Sequence, residues 1–62
     1  MKYSELERIL RANGCHPVME GHKHRLWFSP KTGARFPVGH HKTQDVPQGT
    51  LKSIFRAAGI NP

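Results

Sequence analysis

The sequence predicts an α+β domain with the order α-β-β-β-α, in which two helices lie on one face of a three-stranded antiparallel sheet. Apolar residues repeat at helical spacing near both ends of the chain. Between these segments lie three short strand-like runs separated by glycine and proline turns. The chain has 62 residues, so we expect one domain over residues 1–62. A chain of this length buries only about 60 % of its unfolded surface.

The first helix is predicted over residues 4–13. Ser4 and Glu7 have the spacing of a capping box, in which the serine oxygen accepts from a first-turn amide and the glutamate reaches back. The apolar residues at helical spacing are Leu6, Ile9 and Leu10. Gly14 follows and can take the left-handed conformation that ends a helix.

The three strands are predicted over residues 15–20, 24–29 and 34–38. Gly21 and residues 30–33 supply the turns between them. Pro17 and Pro37 lack an amide proton and are tolerated mainly in edge strands, whereas the second strand contains no proline. The predicted sheet is therefore a meander with the second strand in its centre.

Alternation along the central strand sorts its residues into two sets. One set is His24, Leu26 and Phe28, and the other is Arg25, Trp27 and Ser29. Each set contains an aromatic residue. The strand is thus either buried on both sides or keeps an aromatic ring on an open face, where bases or a partner can stack.

The second helix is predicted to begin after Pro47, which presets a helical turn. Its apolar residues at helical spacing are Leu51, Ile54, Phe55 and Ala58. Gly59 is expected to end the helix, and Ile60 to fold back onto the last turn as the apolar contact of a Schellman-type cap.

The predicted core draws on apolar residues from all five elements. They are Tyr3, Leu6, Ile9, Leu10, Val18, Leu26, Trp27, Phe28, Phe36, Val38, Leu51, Ile54, Phe55 and Ile60. Cys15 is the one cysteine, so no internal disulfide can form. The chain also shows no secretory leader and no long apolar run, which favours a cytoplasmic location and no membrane contact.

The formal net charge of +6 is concentrated in one part of the chain. The charges of residues 1–21 cancel, and the excess lies beyond them. The basic residues there are Lys23, Arg25, Lys31, Arg35, Lys42, Lys52 and Arg56, against Asp45. This distribution predicts a polyanionic partner, although a basic surface can also serve solubility alone.

His24 begins the predicted central strand and lies among these basic residues. An imidazole titrates near neutrality and can exchange a proton without a metal, while neighbouring lysines and arginines hold a phosphate chain. This combination indicates a compact RNA-cutting domain.

The order and spacing of several short motifs resemble the HicA family, the small toxins of HicA/HicB toxin-antitoxin pairs. The motifs are Asn13-Gly14 after the first helix, Gly21 followed by His24, Phe36-Pro37 in the third strand, and residues 47–54 leading to Ala58-Gly59-Ile60. Together they span nearly the whole chain.

The resemblance implies a fold similar to a double-stranded-RNA-binding domain and a ribonuclease that cuts mRNA with one essential strand histidine. It also implies a HicB-like antitoxin that covers the site, and it gives no reason to expect direct DNA binding by this chain alone. Where the family commonly has Gly-Ser-His, this chain has two residues between Gly21 and His24. His24 is the predicted catalytic residue because the following residues then fall into family register, and His22 is its rival.

The expected reaction uses His24 as a general base that takes the proton of a ribose 2′-hydroxyl, so DNA cannot be cut. The expected RNA-binding residues are Lys23, Arg25, Arg35, His22 and Lys42. Solvent, Lys23 or a loop histidine can protonate the leaving oxygen, and the sequence does not choose among them. The adjacent His40 and His41 are more typical of an exposed loop than of a ligand pair.

We expect no metal and no cofactor. Structural zinc usually requires paired cysteine and histidine ligands, and no such pairing is present. The carboxylates form no cluster suited to magnesium. The competing functions are a non-catalytic RNA-binding module of similar fold and a domain whose basic face binds an acidic protein.

Overall fold

The computed structural model describes residues 1–21, 24–39 and 42–61 and confirms the predicted α-β-β-β-α fold. The elements are α1 (Tyr3–Ala12), β1 (His16–Glu20), β2 (His24–Phe28), β3 (Arg35–Gly39) and α2 (Gln48–Ala58). The strands form one antiparallel sheet in the order β1-β2-β3, so β2 is central as predicted. Each observed boundary lies within one residue of the predicted one.

The start of α1 differs from the predicted capping box. The helix begins at Tyr3 rather than at Ser4, and no side chain caps it. Instead, the amides of Tyr3 and Ser4 donate to the backbone carbonyls of Gln44 and Lys42, at 3.0 and 3.2 Å. The loop that follows β3 therefore supplies the acceptors for the first turn, and Ser4 becomes an ordinary helical residue.

Both helices end at glycine as predicted. Gly14, which follows α1, has φ 85°, and Gly59 after α2 has φ 74°. The amide of Ile60 donates to the carbonyl of Phe55 at 2.9 Å, which completes a Schellman-type cap. Ile60 also packs against the core, so the end of α2 is fixed by both a hydrogen bond and an apolar contact.

The core lies between the helices and one face of the sheet. Trp27 and Ser29 are fully buried on this side, which settles the orientation of β2. The buried core consists of Leu6, Leu10, Cys15, Trp27, Phe36, Val38, Val46, Ile54, Phe55 and Ala58. The other side of the sheet, which carries the side chains of His24, Leu26 and Phe28, is called the open face below.

The predicted core was wrong at Val18, Leu26 and Phe28. Leu26 and Phe28 are half-buried on the open face and lie outside the core, because they alternate with the inward-facing Trp27. Val18 is 45 % exposed. The register shifts between Pro17 and Met19, and this bulge interrupts the alternation that would have turned Val18 inward. Cys15 and Val46 are buried but were not in the predicted core, because each lies outside the helices and strands. Ala58, which was assigned to the apolar face of the second helix, is fully buried.

Within the three described ranges, neither helix is long and apolar enough to cross a membrane.

Candidate functional site

The strand register arranges the open face as three rows that run across the sheet. The first row pairs His24 with Gly39, the second contains Met19, Leu26 and Pro37, and the third contains His16, Phe28 and Arg35. Directly paired residues of antiparallel strands carry their side chains on the same face. The rows therefore place one histidine at each end of the face, with apolar residues between them.

His24 is exposed at the beginning of β2. Its backbone carbonyl accepts the amide of Gly21 at 2.8 Å, which closes the β1–β2 connection. A Cβ atom at position 21 would overlap this carbonyl oxygen, so the connection requires glycine there. The imidazole makes no hydrogen bond to any described residue and borders a shallow depression with Met19, Leu26 and Pro37. It is therefore accessible to a ligand on the open face.

Tyr3 covers the position opposite His24. Gly39 has no side chain, and the space that its Cβ would occupy lies 3.4 Å from Cζ and 3.6 Å from the hydroxyl oxygen of Tyr3. The Tyr3 hydroxyl therefore lies beside Gly39, the residue of the first row that is paired with His24. This hydroxyl has no hydrogen-bond partner among the described residues.

Arg25 follows His24 but alternates to the other side of β2. Its Nε atom lies 2.9 Å from Oε1 of Glu20, the residue paired with it on β1. The guanidinium is thus engaged in an ion pair at the end of the sheet, and Arg25 also contributes to the lining of the depression beside His24.

Arg35 and Lys42 are exposed, and neither has an ion-pair partner in the described part of the chain. Arg35 pairs with Phe28 at the far end of the open face from His24. The other predicted site residues, His22 and Lys23, lie outside the described residues, as do His40 and His41.

The described residues contain no group of three or more histidine, cysteine or carboxylate side chains placed to hold a metal ion. Cys15 is buried in the core, and His16 and His24 lie in different rows. A single imidazole such as that of His24 can supply acid-base chemistry.

Sequence reasoning missed two members of this arrangement. Tyr3 was assigned only to the core, and Gly39 was not singled out. Their proximity depends on the β2–β3 register and on where α1 begins, and no short sequence motif reports either. A glycine inside a strand is the one local signal that would have pointed to a close approach at this position.

A second depression lies on the outer surface of α2, away from the open face. It is lined by the apolar side chains of Leu51, Phe55 and Ile60 and bordered by Lys52 and Arg56. None of these residues belongs to the three rows of the open face.

A search of curated proteins and a search of solved structures each found no match. In contrast, a family model described as the HicA toxin of bacterial toxin-antitoxin systems matches residues 3–60. The match covers every helix and strand of the fold, including the strand that carries His24. The chain therefore belongs to the HicA toxin family.

Proposed function

We propose that this HicA-family protein is a metal-independent endoribonuclease that cleaves mRNA, with His24 as its general base. The observation that carries the proposal is the accessible, unpartnered imidazole at the beginning of the central strand. It lies on a face whose three rows contain no carboxylate. A polyanion can therefore approach His24 without meeting a fixed negative charge in these rows.

In the proposed reaction, neutral His24 takes the proton of a ribose 2′-hydroxyl. The 2′-oxygen attacks the adjacent phosphorus, the bond from phosphorus to the 5′-oxygen breaks, and the products are a 2′,3′-cyclic phosphate and a 5′-hydroxyl. One positioned acid-base group contributes roughly 10²- to 10⁴-fold. We therefore expect a slow nuclease.

We propose that the Tyr3 hydroxyl donates a proton to the leaving 5′-oxygen. A phenol can donate its proton, and this one lies beside the first row without a described hydrogen-bond partner. Solvent restores the proton after the 5′-hydroxyl has formed. Tyr3 is thus an alternative to Lys23 and to the loop histidines for this role.

RNA binding is assigned to the predicted cationic residues. They are Lys23, Arg25, Arg35, His22 and Lys42. Exposed Arg35 and Lys42 are available in the described structure, whereas Arg25 would first have to leave Glu20. The proposed protein partner is a HicB-like antitoxin, because the family belongs to toxin-antitoxin systems.

The test is cleavage of a long RNA by the purified protein in EDTA, comparing wild type with His24→Ala and His22→Ala. Circular dichroism first establishes that all three proteins fold. We expect the wild type to cut in EDTA and His24→Ala to lose roughly 10²- to 10⁴-fold in rate, while His22→Ala keeps most activity. RNA that is bound but left intact by the wild type would instead indicate a non-catalytic RNA-binding module.

The antitoxin assignment has its own test. The toxin is co-expressed with the product of a neighbouring reading frame, if one is present, and growth and complex formation are measured. A stable complex that restores growth supports the assignment, whereas inhibition of growth that persists despite expression of the neighbour contradicts it.

A further inference from the structure

The row of His16, Phe28 and Arg35, called the aromatic row below, has the composition of a nucleotide-binding surface. The rings of His16 and Phe28 are in contact, with centroids 5.8 Å apart and planes tilted by 59°. Exposed Arg35 on β3 is also paired with Phe28, so Phe28 lies between His16 and Arg35 in the row. A base that stacks on one ring meets the edge of the second, and such aromatic platforms bind bases of any sequence.

The charge of the aromatic row is complementary to RNA. Arg35 has no carboxylate partner among the described residues, and its guanidinium can contact either a phosphate or the plane of a base. The described carboxylates lie elsewhere. Glu20 and Asp45 are paired with Arg25 and Lys2, and Glu5 and Glu7 belong to α1.

The aromatic row is separated from His24 by the length of β2. His24 and Phe28 are four positions apart on the same face, which corresponds to about 13 Å at the rise of a strand. The apolar row of Met19, Leu26 and Pro37 lies between them. A nucleotide that stacks on Phe28 is thus not the one being cut. It lies further along the same extended RNA strand.

We propose that His16, Phe28 and Arg35 form a stacking subsite for an unpaired base about two nucleotides from the cleaved phosphate. The inference rests on the proposed function, since it places the subsite relative to cleavage at His24. It also identifies the substrate as single-stranded RNA.

A duplex does not fit this subsite, because its bases are stacked on each other and only their edges are accessible. The open face therefore selects an unpaired segment, although the fold resembles a domain that binds double-stranded RNA. Annealing a complementary strand should protect the cleavage site.

The test uses short substrates with one cleavable ribose in a 2′-O-methyl background. The first is a dinucleotide, which reaches only His24. The second is a set of hexanucleotides with the cleavable ribose at the centre. The third is the same set with an abasic residue two positions from the cleavage site, placed on one side or on the other. Cleavage efficiency is measured for each, and fluorescence anisotropy gives the affinity of a fully 2′-O-methylated hexanucleotide.

Phe28→Leu is the informative variant because it keeps an apolar side chain but removes the π face. Val18→Ala is the matched control, since Val18 is apolar, 45 % exposed and on the same sheet but outside the rows. We expect Phe28→Leu to lower hexanucleotide cleavage and affinity by roughly 5- to 100-fold, the range of one base stack. Dinucleotide cleavage should change little in either variant.

The abasic substrate completes a double-mutant cycle. If the base stacks on Phe28, removing the base should weaken the wild type but add little further loss in Phe28→Leu. Equal losses in Phe28→Leu and Val18→Ala, or equal losses on the dinucleotide and hexanucleotide, would overturn the subsite. So would full additivity of base removal and Phe28→Leu.

The binding measurement separates the subsite from the nuclease activity. If the wild type cleaves nothing but Phe28→Leu still weakens binding of the hexanucleotide, the stacking of an unpaired base on Phe28 stands, whereas the proposed nuclease activity and the placement of the subsite relative to cleavage fail. If His24-dependent cleavage is present and Phe28→Leu behaves as wild type, the subsite alone fails. If the wild type binds no RNA, both proposals fail.

Discussion

Ser29 shows how one buried polar side chain joins the sheet to α2. It is the buried polar residue of the described ranges, and its hydroxyl donates to the carbonyl of Ala58 at 2.7 Å. This carbonyl lies in the last turn of α2, where helix carbonyls have no partner within the helix. Three residues later, the exposed Thr32 hydroxyl donates to the carbonyl of Ala57 at 2.6 Å.

The first prediction compares these two hydrogen bonds. Ser29→Ala should lower the free energy of unfolding by about 1–3 kcal/mol, because it leaves a buried acceptor without its donor. Thr32→Ala should cost less, about 0.5–1 kcal/mol, because water can replace the exposed donor. Urea denaturation measures both values. Equal costs would show that burial does not govern the contribution of these bonds.

The second prediction concerns Tyr3. Tyr3→Phe removes the proposed proton donor and keeps the ring over Gly39, so the rate of RNA cleavage should fall roughly 10²- to 10⁴-fold. A substrate in which sulfur replaces the leaving 5′-oxygen needs no proton on its leaving group. Cleavage of this substrate should be nearly the same in Tyr3→Phe and wild type.

His24→Ala is the control for this prediction, since loss of the general base should slow both substrates. If Tyr3→Phe slows the sulfur substrate as much as the ordinary one, then Tyr3 acts in binding or positioning and the acid assignment is wrong. Thermal unfolding establishes that Tyr3→Phe retains the fold.

At the residue scale, the sequence predicted His24 as the candidate catalytic residue but did not predict its surroundings, and the catalytic role of His24 stays a prediction. The basic composition and the position of His24 at the beginning of a strand are local features, and the structure leaves that histidine exposed. Arg25 forms its ion pair with Glu20 because the two residues are paired across neighbouring strands. Tyr3 lies close to Gly39 because two segments that are distant in the sequence pack together. Single-sequence patterns do not contain this information.

At the scale of elements, features that depend on residues within or next to a helix or strand were predicted correctly. Features that depend on contacts with another segment were not. The glycine that follows each helix was identified because left-handed backbone favours glycine. The capping of α1 was assigned wrongly to Ser4 because the acceptors for its first turn are the carbonyls of Lys42 and Gln44, about forty residues further along the chain. The bulge in β1 was missed for a similar reason, since it is a property of the β1–β2 pair.

The third prediction compares two glycines at the opposite ends of α2, Gly49 in its first turn and Gly59 directly after its last residue. Gly59→Ala should destabilise the protein by about 1–2 kcal/mol because position 59 has φ 74°. The added Cβ would also lie 2.8 Å from Cγ2 of Thr32. Gly49→Ala places its Cβ in open space within the first turn, so it should stabilise by about 0.5–1 kcal/mol. Thermal or urea denaturation of both variants gives the sign of the change in the free energy of unfolding. Destabilisation by Gly49→Ala would contradict the prediction.

At the scale of the whole molecule, the net charge of +6 dominates the long-range behaviour. The fold places cations on both sides of the sheet, with Arg35 on the open face and Arg56 on α2. Total charge alone therefore does not identify the RNA-binding surface, although it predicts that binding weakens with salt.

The fourth prediction uses this pair of arginines, which contribute the same charge. The logarithm of the RNA association constant should fall linearly with the logarithm of salt concentration. Arg35→Ala should reduce the slope by about 0.7, the value for one contact to a single strand. Arg56→Ala should leave the slope nearly unchanged. Fluorescence anisotropy over a salt series measures both, and equal changes would mean that RNA binding depends on total charge rather than on the open face.

The positions of Pro17 and Pro37 have a consequence for self-association. Each lies in an outer strand of the sheet, and the β1 edge is further distorted by the bulge before Met19. A strand from another molecule that tried to extend the sheet would find missing amide donors on both sides. These features oppose growth of the sheet by addition of further strands, and they favour the side-chain surfaces over the backbone edges for contact with another protein.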